Sequence, residues 1–179
     1  MFKKIILLCL LTVVVGLIAY WIYNRPKTPA LTQQFILNAK SCTYSVDGKD
    51  ITLKDGYAAQ AINADSATKL ITRYFGNELA GYFDDDEFSD RAFILTQESG
   101  GSGTFFYLAA ALGSKDKCNG TNAILLGDRI APQTTEFRNG EIIVNYAERR
   151  PEEPMTASPS VGVSKYLKID KGQLVEIKK

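Results

Sequence analysis

Three carboxylates at Asp84, Asp86 and Asp90, inside Tyr82-Phe-Asp-Asp-Asp-Glu-Phe-Ser-Asp90, come nearest to a ligand set in this chain. Oxygen ligands at alternate positions followed by a later carboxylate are how short loops wrap a calcium ion. The stretch departs from a full EF-hand loop. Tyr82 stands where a first carboxylate would help, and Glu87 replaces the glycine that permits the sharp turn. Two readings result: calcium held by Asp84, Asp86 and Asp90, or a solvated acidic turn leading into a strand. No other cofactor is implied. A second candidate is Glu148-Arg-Arg-Pro-Glu-Glu-Pro-Met-Thr-Ala-Ser-Pro-Ser160, the longest irregular piece of the chain. Long loops in compact domains often carry function, and Arg149, Arg150, Glu152 and Glu153 could recognise a charged partner or satisfy one another.

Catalysis is narrowed by an absence. The chain contains no histidine, which excludes a Ser-His-Asp triad, a Cys-His pair, histidine-ligated zinc and a histidine pH switch. Any general acid or base would be a carboxylate, lysine or tyrosine. The Gly-rich Ser99-Gly-Gly-Ser-Gly103 is not followed by Gly-Lys-Ser/Thr, and the next segment reads as strand, so a phosphate-cradling loop is not expected. Gly-x-Ser-x-Gly is unmet because position 104 is threonine, leaving Ser102 without a base. Ser164 and Lys165 are neighbours on an expected strand and point to opposite faces. No catalytic residue is assigned. The expected function is a non-catalytic binding or envelope-associated module; a calcium-binding β domain is the alternative, and a hydrolase without histidine the second.

The elements that position these residues begin with an uncharged apolar run, Ile5 to Tyr23. As a helix it would span roughly 28 Å, close to the hydrocarbon thickness of a bilayer. Lys3 and Lys4 precede it, Arg25 and Lys27 follow, and Tyr20, Trp21 and Tyr23 cluster at its far end like an interfacial aromatic belt. A cleaved signal peptide shares the charged start and apolar core, but this stretch is longer than usual and no Ala-x-Ala-like site closes it. The chain therefore divides into a cytoplasmic N-terminus (1–4), a transmembrane anchor (5–23) in contact with membrane lipid, a linker (24–37) and an extracytoplasmic domain (38–179). Of the 21 basic residues, Lys3, Lys4, Arg25 and Lys27 lie before position 28, whereas all 20 acidic residues lie beyond it. The domain is thus mildly acidic and offers no electrostatic footprint for nucleic acid. Its partner is expected to be an envelope protein or glycan.

Cys9 falls inside the apolar run, leaving Cys42 and Cys118 in the domain. Two exported cysteines commonly pair, and closing a loop of this length is worth about 4 kcal/mol on the chain-entropy model. Strands are expected at Cys42–Val46, Ile51–Leu53, Arg91–Gln97, Thr104–Leu112, Ala123–Leu126, Thr134–Phe137, Glu141–Tyr146, Val161–Ile169 and Leu174–Ile177. Asp47-Gly48, Asp55-Gly56, Asn139-Gly140 and Lys171-Gly172 are tight-turn signals. Leu70 to Phe75 fits helical spacing as well, but its β-formers favour a strand ending at Gly76. Asn119-Gly120-Thr121 fits a glycosylation sequon, with an Asn-Gly turn the expected reading. The fold class is a transmembrane helix followed by a mainly β domain, an antiparallel sandwich or open barrel.

Ala92-Phe-Ile-Leu-Thr-Gln97, Gly100-Gly-Ser-Gly-Thr-Phe-Phe-Tyr-Leu108, Leu125-Leu-Gly-Asp-Arg129, Asn139-Gly-Glu-Ile-Ile-Val144 and Pro154-Met155 occur in that order. Over residues 42 to 177 the chain resembles a group of exported or membrane-anchored bacterial all-β domains without an assigned function. The resemblance implies a bacterial envelope location and an all-β fold, and no reaction. In that group the acidic turn resembles Asp-x-Asp/Asn-x-Asp-Gly, so Tyr82 and Glu87 depart from it.

Overall fold

The computed structural model describes residues 37–63 and 67–179, together with Tyr20. Apart from Tyr20, the apolar run 5–23 lies outside the described residues, as does the linker up to residue 36. Among the described residues no helix is long and apolar enough to cross a membrane.

Among the described residues of the domain the sheets are antiparallel, and one 3-10 turn, Ala39–Ser41, precedes them. Four hairpin corners follow from local chemistry. Asp47-Gly48, Asp55-Gly56, Asn139-Gly140 and Lys171-Gly172 each hold both central residues at positive φ, the backbone of the two-residue turns that match strand twist. The first of these joins β1 (Thr43–Val46) to β2 (Lys49–Thr52), a two-stranded layer of its own. A six-stranded sheet contains, in spatial order, β3 (Tyr57–Ala61), β4 (Lys69–Gly81), β5 (Asp90–Glu98), β6 (Phe105–Gly113) and β7 (Cys118–Gly120). Its sixth strand, β8 (Ile124–Asp128), pairs the other half of β6. A four-stranded sheet holds β9 (Ala131–Arg138), β10 (Glu141–Glu148), β11 (Val161–Asp170) and β12 (Gln173–Ile177) as an unbroken meander. The sheets are layered and do not close into a barrel.

The central strands β5 and β6 are buried on both faces, which is why both read as near-continuous apolar runs. Alternation sends Ala92, Ile94, Phe106, Leu108 and Ala110 toward Ile142, Val144, Tyr146, Leu167 and Leu174 of the four-stranded sheet. It sends Phe93, Leu95, Tyr107, Ala109 and Ala111 toward Tyr44, Val46, Ile51 and Leu53 of the β1–β2 hairpin. The ring of Phe93 stacks on Tyr74 at 4.8 Å and meets the edge of Tyr44 at 5.3 Å, within the range of favourable aromatic pairs.

Three strands differ from the sequence expectation, the first being β3, which lies where no strand is expected. β4 does not end at Gly76: the chain bulges there, with Gly76 at φ 127° and Asn77 at φ 51°, and runs on to Gly81. The bulge turns the second half of β4 toward β9, where the Asn77 amide donates to the Gln133 carbonyl at 3.0 Å. Asn119-Gly120 is strand rather than turn. A Cβ at position 120 would lie 2.0 Å from the Thr43 carbonyl oxygen, so glycine serves close approach of β7 to β1. The same crossing brings Cys42 and Cys118 together as a disulfide pair, Cα to Cα 5.9 Å.

Gly120→Ala is therefore expected to lower the unfolding free energy by about 2–3 kcal/mol, the upper part of the range for overpacking. Urea denaturation measures it; a loss below roughly 0.5 kcal/mol, the scale of neutral surface changes, would contradict the close approach.

Candidate functional site

Asp84, Asp86 and Asp90 are satisfied by backbone amides. Asp84 accepts from the Asp86 N–H at 3.3 Å and Asp86 from the Phe88 N–H at 2.8 Å, the short-range pattern of Asx turns. Asp90 is wholly buried and accepts from Phe83 at 2.6 Å and Gly113 at 2.9 Å. Burial raises its pKa, against the lowering effect of those two bonds. Gly113 is required here, because a Cβ would stand 2.6 Å from the Ser89 carbonyl oxygen. Among the described residues no group of three or more carboxylate or cysteine side chains is placed to hold a metal ion. The acidic turn is thus built around Asp90 as an internal anchor for the loop between β4 and β5.

The second candidate is organised differently. Residues 149–160 fold as two consecutive turns, closed by Glu153 N–H to the Arg150 carbonyl and Ala157 N–H to the Pro154 carbonyl. Ser160 N–H returns to the Glu148 carbonyl at 2.9 Å, so the ends of the loop meet. The Arg149 guanidinium turns inward and donates to the carbonyls of Asp128 (3.1 Å), Arg129 (3.2 Å) and Ala157 (3.4 Å). A planar fork with five donors suits several fixed acceptors at once, which a lysine does not match. Arg150 pairs with Glu153 at 3.0 Å, while Glu152 is exposed and in no ion pair among the described residues. The sequence leaves these four charges as a recognition set or as partners of one another; the structure assigns Arg149 to holding the loop and pairs Arg150 with Glu153 on the wall of a cavity.

The partners of Arg149 come from the Leu125-Leu-Gly-Asp-Arg129 stretch. Gly127 sits at φ 153° and Arg129 at φ 49°, left-handed conformations that aim the 128 and 129 carbonyls at Arg149. Asp128 takes a fork from Arg129, with Nη2 to Oδ2 at 2.7 Å, and also accepts from the Thr104 N–H at 2.9 Å. Arg129 N–H returns to the Thr104 carbonyl at 2.8 Å. Thr104 Oγ1 leans on Glu98, which pairs with Arg73 at 3.0 Å. One polar network therefore links the Gly-rich loop, the Gly-Asp-Arg corner and the Pro-Met loop, bringing three separated motifs together at one place. Asp128 and Gly127 were missed as site residues. Their signal was the Gly-Asp-Arg sequence, in which a glycine precedes a self-pairing acid and base.

Between these segments lies an open cavity of about 210 Å³. Its lining comprises Gly127, Asp128, Ile130, Glu148, Arg149, Arg150, Pro151, Glu153 and Met155. Acids and arginines sit beside the apolar Ile130 and the exposed Met155, and no hydroxyl, thiol or amine nucleophile is among them. Ser102 is exposed. Ser164 donates to Asn145 while Lys165 reaches Glu176, on opposite faces as expected. The cavity lining thus combines charged and apolar side chains. No protein-family model, curated protein or solved structure matches the chain.

Hydrogen bonds from Arg129 hold the Asp128 carboxylate below the ordinary aspartate range. A carboxylate with a depressed folded pKa binds its proton more tightly in the unfolded chain, so its stabilisation is present at neutral pH and is lost as pH falls below about 4. The stability difference between the protein and Asp128→Asn should shrink as pH is lowered from 7 toward 3. Chemical denaturation at each pH reads it, and a difference constant across that range would contradict the ion-paired role.

Proposed function

We propose that the protein is a non-catalytic binding module of the bacterial cell envelope, recognising a charged partner through the cavity beside the 149–160 loop. The observation that carries this reading is the division of labour at Arg149. That side chain spans three carbonyls and fixes the loop, leaving Arg150, Glu153 and Met155 presented on a preformed surface. A preformed site loses less conformational freedom on binding than a loose loop would. Mixed charges around an apolar floor favour a partner with complementary charges over a simple ion. In this reading residues 5–23 anchor the chain in the inner membrane with the domain outside the cytoplasm. Pairing of Cys42 with Cys118 supports that side, because disulfides persist in oxidising compartments. The envelope location is also what the resemblance to exported all-β domains implies.

The test places a photo-crosslinking amino acid at position 155 of the full-length protein in its native host. A discrete adduct is expected, and Arg150→Glu should reduce its yield about tenfold or more, the scale of truncating a charge pair at a binding site. An adduct with unchanged yield in Arg150→Glu, or only diffuse labelling, would reject this cavity as the binding surface.

A further inference from the structure

We infer that the outer edge of β3, together with the facing edge of β2, is a strand-addition site for an extended, acidic peptide segment of a partner protein. The two strands begin as an ordinary hairpin around Asp55-Gly56. Lys54 and Tyr57 exchange both backbone bonds, Lys54 N–H to the Tyr57 carbonyl at 2.9 Å and Tyr57 N–H to the Lys54 carbonyl at 3.1 Å. Continued by the same register, Thr52 would pair with Ala59 and Asp50 with Ala61. It does not continue. β2 belongs to the hairpin layer and β3 to the six-stranded sheet, and they are not hydrogen-bonded neighbours. The gap is an open groove of about 380 Å³ lined by Thr52, Lys54 and the Tyr57–Gln60 stretch.

The hydrogen-bonding phase of each strand settles which groups face the gap. Tyr74 N–H binds the Gly56 carbonyl, and Ala58 and Gln60 follow in register toward Thr72 and Leu70 of β4. By alternation the N–H and C=O of Ala59 and Ala61 point away from β4. On β2, Leu53 N–H binds the Cys42 carbonyl, so Ile51 faces β1 while Asp50 and Thr52 face outward. Of these outward groups, the Asp50 carbonyl alone has a partner among the described residues, the Gln60 amide at 3.0 Å. The groove therefore offers two rows of ladder donors and acceptors to one inserted strand.

Natural edges are usually blunted by charge, proline, a bulge or a covering group. Two other edges here follow that rule: Lys165 donates to the Leu125 carbonyl on β8, and Asn77 covers Gln133 on β9; in the groove only the Asp50 carbonyl is covered, by Gln60. β3 carries Tyr-Ala-Ala-Gln-Ala, with no charge, proline or bulge. Its small side chains leave room for a neighbouring backbone. Lys54 lines one end of the groove, and Lys69 is paired in register with Ala61 at the other. Neither is in an ion pair among the described residues, which is why the inserted strand is assigned acidic side chains.

The probe is a fluorescein-labelled peptide, Thr-Glu-Thr-Ala-Thr-Glu-Thr, titrated against the full-length protein in detergent micelles. Saturable anisotropy is expected, with slowed amide exchange at Ala59 and Ala61. Ala59→Pro removes an N–H that does not serve β4, so it should weaken binding about tenfold, the scale of one backbone hydrogen bond, without shifting the melting temperature. A backbone N-methylated version of the peptide tests the same claim on the unaltered protein, should the proline variant fail to fold, and is expected not to bind. Absence of saturable binding, equal binding by a folded Ala59→Pro, or equal binding of the N-methylated peptide would overturn the inference. So would protection of Ala59 and Ala61 that grows with protein concentration alone, which would assign the edge to a second copy of the chain.

Discussion

The three layers of this domain are joined by one short segment, Cys118 to Ala123, and the rest of the architecture depends on it. Cys118 is bonded to Cys42 of the hairpin layer. Thr121 exchanges backbone and side-chain bonds with Ala110 of the central sheet and offers its carbonyl to Ser45 of the hairpin. Asn122 faces the third layer: its amide donates to the Leu174 carbonyl at 3.1 Å and its Oδ1 accepts from the Leu174 N–H at 2.7 Å. That reciprocal pair reproduces a backbone ladder with a side chain. Other polar contacts cross between the layers, Asn77 to the Gln133 carbonyl and Tyr107 to Asp47 among them, but most of the covering surface is apolar contact, which is strong but indifferent to register.

Double burial of β5 and β6 has a consequence at their ends. Loops leaving a doubly covered sheet have no free face to lie on and must gather at its rim. At one rim the Gly-rich loop, the Gly-Asp-Arg corner and the Pro-Met loop share a hydrogen-bonded network. At another, Asp90 holds the acidic turn against Gly113. Both use a charged side chain to satisfy backbone groups, part-buried at the first rim and buried at the second. Such groups are costly to leave unpaired, so the charges that look most available for chemistry in the sequence are partly spent on the loops themselves.

What the residues reveal before folding follows the same division. Turns written as Asp-Gly, Asn-Gly and Lys-Gly, and strands written as apolar runs, are local properties and were legible. So was the pairing of Cys42 with Cys118 once the apolar run had claimed Cys9. β3 was not legible, because Tyr-Ala-Ala-Gln-Ala has little strand propensity and is held by its pairing to β4. The continuation of β4 past Gly76 was hidden by a glycine that reads as a stop and acts as a bulge. Asn119-Gly120 carried a turn signal overridden by the proximity of Thr43, and nothing in the type of Asp90 announces a fully buried acid. The inward turn of Arg149 likewise depends on carbonyls twenty residues away.

The claim that the 118–123 seam couples the layers is tested most directly by native-state hydrogen exchange on Asn122→Ala. In the unaltered protein, amides of Phe93–Leu95 and of Leu167 and Leu174 should exchange through one common opening. In the variant, Leu167 and Leu174 should open at a free energy lower by about 1–3 kcal/mol, the cost of leaving buried partners unpaired, while Phe93–Leu95 hold their separate, higher value. If both sheets still exchange with a single shared free energy, the coupling lies elsewhere and the account of the seam is wrong.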